Sequence, residues 1–395
     1  MKIAFFIYNS PCKERCYITS LRDILLNMGH HVEIFSYFNT DVTFERYKKN
    51  NNTKQKIYKR FNFLIKKYYY FIYRYLHYII HFLYFYFKTF KDLNYINNEL
   101  KMTDNFDFTI GIEKGGLICS YFLFKHHNIP FFYFSLELYL EDNKTIIEPS
   151  IDKFLRKKEI NMHKYAKGTI ISDKERLNTL YNANKINNYI PGFFLPVSFS
   201  DNVNINHTDT SLNDRSKKYI LLFGINRIPD DFFIRLIKIF PNDYIFLMHN
   251  YNTDYHEALS KLHSLCNIQF SNNFADENGI MSIIKNSYIG ICWYNDDNIN
   301  ETLTAFSSEK AARYLSAGKP IIANIKTNYN SLFNLYKCGV LVNTPEEFIK
   351  AIICISNNYE KYSSNALLAY NNIYKSSNYE KKLNDFLIEN IKDNY

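Results

Sequence analysis

The sequence predicts an α/β protein made of two doubly wound domains that face each other across a cleft. Short apolar runs alternate with stretches of helical spacing along most of the chain, as expected for βαβ units and parallel sheets. A polar stretch at residues 200–218, rich in Asn, Asp, Thr and Ser, divides these units into two series. The length of 395 residues exceeds what one ordinary core requires, so two domains are expected.

The first domain is predicted over residues 1–199 and opens with an apolar strand at 3–8. Residues 17–28 follow with helical spacing, Gly29 ends that helix, and a second apolar strand is predicted at 32–35. The same unit recurs further along the chain, with strands at 108–112, 129–134 and 168–172 and helices at 115–126 and 173–181.

The second domain is predicted over residues 219–375, after the linker at 200–218. Its predicted strands lie at 219–223, 244–248, 268–270, 289–292, 320–323 and 340–342, and its predicted helices at 231–239, 255–265, 277–285, 308–315, 329–336 and 345–356. Residues 376–395 contain an amphipathic segment, which we expect to form a helix that packs back on the first domain.

The sequence predicts an aromatic helical insert in the first domain at residues 55–100. Between residues 68 and 87, twelve of twenty residues are aromatic and five more are Ile or Leu. A helix there would carry one cationic stripe, made of Lys67, Arg74, His77, His81, Lys88 and Lys91. Cations through the middle disfavour a membrane crossing, whereas Tyr and Lys suit a helix over 60–91 that lies on anionic lipid. Contact with lipid or a partner is the favoured interpretation, and packing on the domain or on a second subunit is the alternative.

The charge, the cysteines and the motif content narrow the class of protein. A net charge of +9 indicates an anionic partner such as phosphates or acidic lipid. The seven cysteines are scattered without a zinc pattern, and the first apolar run is too short for a signal peptide. We therefore expect a cytoplasmic protein, peripheral on the inner face of the plasma membrane. No phosphate-loop, dinucleotide or zinc-protease motif is present and no nucleic-acid module is visible, so we predict no metal, no cofactor and no nucleic-acid partner.

A phosphate site is predicted within residues 306–323. Ser307, Ser308 and Lys310 stand at the start of a predicted helix that follows the strand at 289–292. The free N–H groups of a helix N-terminus bind phosphate, and nearby Ser and Lys side chains strengthen such a site. The loop after the first strand of the second domain lies at the same predicted edge and contains Gly224 and Arg227, and Arg is well shaped to pair with phosphate.

The opposite wall of the predicted cleft also has polar residues where strands end. After the strand at 108–112, the spacing predicts a short glycine loop, in which the backbone approaches a ligand, made of Glu113, Lys114, Gly115 and Gly116. Glu137 closes the next strand, so we expect its carboxylate to face the cleft.

The chain resembles a two-domain glycosyltransferase of the GT-B fold, closest to the retaining family 4 type. The resemblance rests on residues 289–294, 307–310, 314–322, 338–342 and 345–347, with supporting matches at 29–30, 171–176 and 195–196. It covers nearly the whole chain apart from the insert.

The resemblance implies two Rossmann-like domains, of which the second binds a nucleotide-sugar donor and the first binds a glycan or lipid-linked acceptor. The donor diphosphate would be held without a metal ion by Gly224, Arg227, Ser307, Ser308, Glu309 and Lys310. Positive groups there would stabilise the leaving nucleotide diphosphate. On the acceptor side, we assign Glu137 as the catalytic residue.

Several positions depart from the pattern of that family. The usual pair of glutamates falls on Ala305 and Arg313, and the second of them normally contacts the ribose. The family's frequent His falls at Leu136, and the glycine-rich first loop is replaced by residues 10–13. Two alternatives to a transferase remain open, a non-catalytic glycosyltransferase-like binding protein and a GT-B-fold sugar-nucleotide epimerase.

Overall fold

The computed structural model describes residues 1–8, 16–37, 106–138, 140, 149–187, 189–198, 217–224, 227–249, 268–271, 277–295 and 298–392. Four predicted features lie outside these residues: the first loop at 10–13, the insert at 55–100, the helix at 255–265 and all but the last residues of the linker at 200–218.

The first domain is built on a sheet of six parallel strands. The strands are β1 (Lys2–Tyr8), β2 (His31–Tyr37), β3 (Phe108–Ile112), β4 (Phe131–Phe134), β5 (Thr169–Ile171) and β6 (Gly192–Phe194). The described helices are α1 (Cys16–Asn27), α2 (Glu113–His127), α3 (Pro149–His163) and α4 (Lys174–Ala183). The strands lie side by side in the order β2-β1-β3-β4-β5-β6.

The second domain has a sheet of the same size and direction. Its strands are β7 (Lys218–Phe223), β8 (Tyr244–His249), β9 (Ile268–Ser271), β10 (Ile289–Cys292), β11 (Ile321–Asn324) and β12 (Gly339–Val342). Its described helices are α5 (Asp230–Lys238), α6 (Glu277–Asn286), α7 (Ile299–Thr302), α8 (Glu309–Ser316), α9 (Tyr329–Tyr336), α10 (Pro345–Asn357) and α11 (Tyr359–Ala369). The strand order is β12-β11-β10-β7-β8-β9, and all pairs are parallel. The predicted α/β fold class with two doubly wound sheets is confirmed.

Each sheet is buried on both faces, which explains its continuous apolar strands. In the second domain, Tyr219 and Leu221 belong to one core cluster, whereas Ile220 and Leu222 belong to the cluster on the other face. Every residue of β3, β4, β10 and β11 is buried. Strands that are covered on both faces do not show alternation of polar and apolar residues.

The periodicity misses helix α3 because the buried face of this helix is polar. Arg156, Glu159 and His163 are all buried, and they take part in one hydrogen-bond network with Tyr133 and Asn184. Arg156 Nη1 donates to Glu159 Oε2 at 2.8 Å, and Tyr133 donates to Glu159 Oε1 at 2.8 Å. Buried polar groups are tolerated when they are paired in this way, and they weaken the apolar spacing in the sequence.

The chain ends in a helix that contacts the first sheet. A π-helical turn at Tyr370–Tyr374 and a short 3₁₀ turn lead from α11 into α12 (Glu380–Lys392). Leu383 and Leu387 are fully buried in the core cluster that contains β1 residues. The ring of Phe386 lies 5.7 Å from that of Phe132 in β4. Helix α12 therefore belongs to the core of the first domain, although it follows the second in the chain.

Candidate active site

Helix α8 begins at the carboxyl edge of the second sheet and has a side-chain cap. Ser308 has an extended backbone, and its Oγ accepts a hydrogen bond from Ala311 N at 3.1 Å. The hydroxyl of Tyr294, just beyond β10, is hydrogen-bonded to the same Oγ. The predicted Ser308 cap is thus present. Ser308 satisfies the N–H group of Ala311, and the N–H groups of Glu309 and Lys310 have no partner within the helix.

Ser307 has a different environment from its neighbour. Its Oγ accepts a hydrogen bond from Arg176 Nη1 of the first domain at 3.3 Å, and it lies 3.4 Å from Leu303 O. The two predicted serines are therefore separated in role. Ser308 starts the helix, whereas the side chain of Ser307 contacts the first domain.

The carboxylate of Glu309 is directed at Arg313, one turn further along α8. Glu309 Oε1 accepts from Arg313 Nε at 3.0 Å and from Arg313 Nη2 at 2.6 Å. Arg313 is buried, and it is one of the positions where the sequence departs from the family that it resembles. A buried guanidinium requires a counter-charge, and Glu309 supplies it for Arg313.

Lys310 lies against aromatic and backbone surface at this edge. Its Nζ is 5.3 Å from the centre of the Tyr294 ring, and a Cβ added at Gly224 would lie 3.9 Å from its Cε. Gly224 has a φ of +79°, which a residue with a side chain rarely adopts. Burial lowers the pKa of Lys310, and the charge of Arg227 lowers it further, while Cys292 and Glu301 act in the opposite direction.

Arg227 and Glu301 complete a charged cluster around Lys310. Arg227 Nη2 lies 3.3 Å from Glu301 Oε1, and Glu301 Oε2 accepts from Asn295 N at 2.7 Å. The structure thus brings Lys310, Arg227 and Gly224 together, and their role in binding phosphate stays a prediction. Glu301 was missed, because it lies in the four-residue helix α7, which has too few residues to show periodicity.

The predicted glycine loop at residues 113–116 is wrong. Strand β3 ends at Ile112, and α2 begins at Glu113 without an intervening loop. A Cβ at Gly116 would lie 2.0 Å from Phe6 O of β1, so the glycine allows the helix to pack directly on the sheet. The close backbone approach is therefore to the protein's own strand. Lys114 is buried in the same turn.

Glu113 has the strained geometry that sequence reasoning did not reveal. It has a φ of +58° and is buried. Its Oε1 accepts hydrogen bonds from Leu136 N at 2.7 Å and from Glu137 N at 2.9 Å, while Oε2 has no partner among the described residues. Burial, followed by the negative charge of Glu137, raises the pKa of Glu113 to about 8. The carboxyl is thus a buried acid that titrates near neutral pH.

Glu137 lies in the loop after β4, partly buried between this acid and a buried guanidinium. Arg176 Nη2 donates to Leu136 O at 2.7 Å. Burial lowers the pKa of Arg176, and the charge of Glu137 is the largest of the opposing effects. The carboxylate of Glu137 therefore has both a neighbouring acid and a neighbouring cation.

Two further observations concern metal binding and membrane crossing. Within the described ranges, no group of three or more His, Cys, Asp or Glu side chains is arranged to hold a metal ion. In the same part of the chain, no helix combines the length and apolar character that a membrane crossing requires.

The fold is shared with solved glycosyltransferase structures. Sucrose-phosphate synthase from Thermosynechococcus elongatus superposes with a TM-score of 0.65 at 10% identity, covering 98% of each chain. A glycosyltransferase from Rickettsia africae gives a TM-score of 0.63 at 15% identity, covering 99% of this chain and 98% of that one. HepE from Anabaena in complex with UDP gives 0.61 at 12% identity, covering 98% of this chain and 100% of that one.

No protein-family model and no curated protein matches the sequence. At identities of 10–15%, the structural likeness establishes the fold, which is the two-domain GT-B architecture.

Proposed function

We propose that the chain is a glycosyltransferase that moves a sugar from a nucleotide-diphosphate-sugar donor to a glycan or lipid-linked acceptor. The observation that carries this proposal is the cationic start of helix α8. There, Lys310 and Arg227 lie at the carboxyl edge of a parallel sheet, where doubly wound folds bind ligands. The UDP complex of HepE, which has the same fold, supports a nucleotide diphosphate as the ligand.

In this proposal, the second domain stabilises the leaving group. Negative charge grows on the diphosphate as the bond to the sugar breaks, and fixed positive groups at that point lower the barrier. Lys310, Arg227 and the first-turn N–H groups of α8 supply such groups without a metal ion. Because Lys310 is partly buried, an anion next to it gains more than it would in water.

The acceptor is proposed to bind at the first-domain edge, next to Glu137. A carboxylate at this position can orient an acceptor hydroxyl and accept its proton during transfer. Glu113 contributes indirectly, since it binds the N–H groups of Leu136 and Glu137. Lys114, Gly115 and Gly116 support Glu113 from the first turn of α2, which packs on β1.

A non-catalytic binding protein is the second candidate, and Arg313 favours it. This residue replaces an acid of the family pattern and is held by Glu309. A guanidinium only donates hydrogen bonds, so it cannot accept one from a ribose hydroxyl as a carboxylate would. The two candidates predict the same donor binding, and they differ only in turnover.

The deciding experiment is a panel of nucleotide-sugars tested first by thermal shift and then by release of free nucleotide in the presence of membrane extract. A transferase shows both a shift and acceptor-dependent release for the same nucleotide. Binding without release, with every acceptor fraction present, would refute the transferase and leave the binding protein.

Association with membrane is a separate part of the proposal and concerns the insert at 55–100. Flotation with liposomes that contain anionic lipid tests it, and neutral liposomes are the control. We expect flotation with the anionic liposomes only, and equal behaviour with both would contradict the membrane assignment.

A further inference from the structure

The loop that follows β4 is held through its backbone by three side chains. The N–H groups of Leu136 and Glu137 donate to Glu113 Oε1. The carbonyl of Leu136 accepts from Arg176, and both backbone groups of Leu138 bond to the amide of Asn300. One of these three side chains, that of Asn300, comes from the second domain.

Arg176 spans the two domains from a buried position. It lies on α4, whose N-cap Asp173 accepts from Arg176 N at 2.9 Å, and its side chain is only 1% exposed. Nη2 donates to Leu136 O at 2.7 Å and to Asn300 Oδ1 at 3.0 Å. Nη1 donates to Leu303 O at 3.0 Å and to Ser307 Oγ at 3.3 Å. Only a planar fork of donors can reach these four acceptors at once.

Asn300 reaches the first domain from the short helix α7. Its Oδ1 accepts from both Leu138 N and Arg176 Nη2, and its Nδ2 donates to Leu138 O at 3.1 Å. The helix is itself capped by Asn298, which accepts from Asn300 N at 2.9 Å. The side-chain amide of Asn300 thus pairs with both the N–H and the carbonyl of Leu138, as a backbone peptide group would.

We infer that Arg176 and Asn300 are positioning residues, which fix the loop of Glu137 against residues 303–308, the segment that leads into the phosphate helix. The role in transfer rests on the proposed function. Since Glu137 and Lys310 belong to different domains, their separation is set by whatever holds these two segments together. A misplacement of about 1 Å in such a site can reduce a rate by about 100-fold.

A direct role for Arg176 as a phosphate ligand is disfavoured by its contacts. Both Nη atoms already donate to protein oxygens, and the side chain is buried. Replacing one of these bonds by a ligand would leave carbonyl groups unpaired in the interface.

The test uses Asn300→Ala and Arg176→Lys, with Glu175→Ala as the matched control. Glu175 lies next to Arg176 on α4, and its Oε2 accepts from Asn328 Nδ2 at 3.2 Å, a separate and exposed bond between the domains. Hydrogen exchange is measured on the ligand-free proteins, followed by steady-state release of nucleotide with the donor found for the wild type.

For the exchange experiment, we expect amides of residues 135–138 and 303–308 to exchange about 10-fold faster in Asn300→Ala and in Arg176→Lys. The rest of the chain should exchange as in the wild type. The control keeps wild-type exchange in both segments. Unchanged exchange in the two segments, or faster exchange over the whole protein, would overturn the inference. This arm requires no donor, so a wild type without transferase activity refutes the proposed function and leaves the inference testable.

For the kinetic experiment, we expect kcat to fall about 10- to 100-fold while KM for the donor changes less than about 3-fold. Arg176→Lys keeps the positive charge but loses the planar fork of donors, so its kcat should fall even though the charge is unchanged. A rise in KM alone, or wild-type kcat in Arg176→Lys, would contradict a positioning role.

Discussion

The carboxyl edges of the two sheets differ in charge, although the sheets have the same number and direction of strands. The first edge presents acids, Glu113 and Glu137, whereas the second presents the cations Lys310 and Arg227. The acids are surrounded by backbone N–H groups and a guanidinium, and the cations share a single carboxylate, Glu301. The proposed diphosphate site thus lies at the cationic edge, and the proposed acceptor site lies at the acidic edge.

Helices α2 and α8 meet their sheets in different ways. Helix α2 packs backbone on backbone, with Gly116 against Phe6 O, so that its first turn is buried. Helix α8 meets β10 through the ring of Tyr314, which lies over Gly290. The first turn of α8 is less covered than that of α2, since Glu309 and Lys310 are partly exposed whereas Glu113 and Lys114 are buried.

The largest expected effect concerns this packing. Gly116→Ala should destabilise the protein by about 3 kcal/mol or more, because its Cβ would meet a strand carbonyl that cannot move. Gly290→Ala should cost less, about 2 kcal/mol, because its Cβ would meet the buried Tyr314 ring, whose hydroxyl is hydrogen-bonded to Leu221 O and Phe223 N, rather than a strand carbonyl. Urea unfolding of both variants provides the comparison, and equal losses would contradict the difference between the two interfaces.

The second prediction concerns the buried acid of the first edge. The folded-state pKa of Glu113, about 8, lies above the ordinary glutamate value of 4.5, so the folded state binds more protons between these values. Stability from this group is complete below pH 4.5 and is lost as pH rises to 8. Between pH 5 and 8, the wild type should lose about 3 kcal/mol through this group.

Glu113→Gln tests this prediction, because Gln keeps an oxygen for the N–H groups of Leu136 and Glu137 but cannot ionise. Unfolding by urea at pH 5, 6, 7 and 8 should show a smaller decline in the variant than in the wild type. The same decline in both proteins would assign the pH dependence to other groups.

The third prediction concerns the cations of the second edge. Lys310→Ala should raise Kd for the bound nucleotide diphosphate about 10- to 30-fold, as expected for a lost charge-assisted hydrogen bond, and leave the fold intact. Lys319→Ala, in the turn between α8 and β11, is the control and should bind normally. Calorimetry with UDP, GDP and ADP measures both, and an unchanged Kd in Lys310→Ala would refute the phosphate assignment.

The smallest expected effect belongs to Arg227, which is more than one-third exposed and already paired with Glu301. Arg227→Ala should weaken binding about 3- to 5-fold, since exposed pairs contribute about 1 kcal/mol or less. Glu301→Gln removes the competing charge and should tighten binding slightly. Effects of the same sign in the two variants would contradict the competition between Glu301 and a phosphate for Arg227.

The fold class could be predicted from the sequence, and so could the proximity of Lys310, Arg227 and Gly224 at the second edge. Apolar periodicity identified most strands, and the Ser308 cap is a local signal that a sequence displays directly. Helix α3 was missed because its buried face contains Arg156, Glu159 and His163. Such a face becomes interpretable only when its partners are known.

The first edge could not be predicted in the same way. Residues 113–116 contain two glycines, and a sequence does not reveal whether their backbone approaches a ligand or a strand. The bonds of Arg176 to Asn300 and Ser307 join residues more than 120 positions apart, so no local pattern indicates them. Their role depends on how the domains meet, which is a property of the tertiary structure.

Hydrogen exchange with saturating UDP, GDP or ADP shows whether a nucleotide diphosphate binds at the second edge. We expect protection of residues 303–312 and of residues 227–233 with one of the three nucleotides. Protection confined to residues 113–138, or no protection with any of the three, would contradict it.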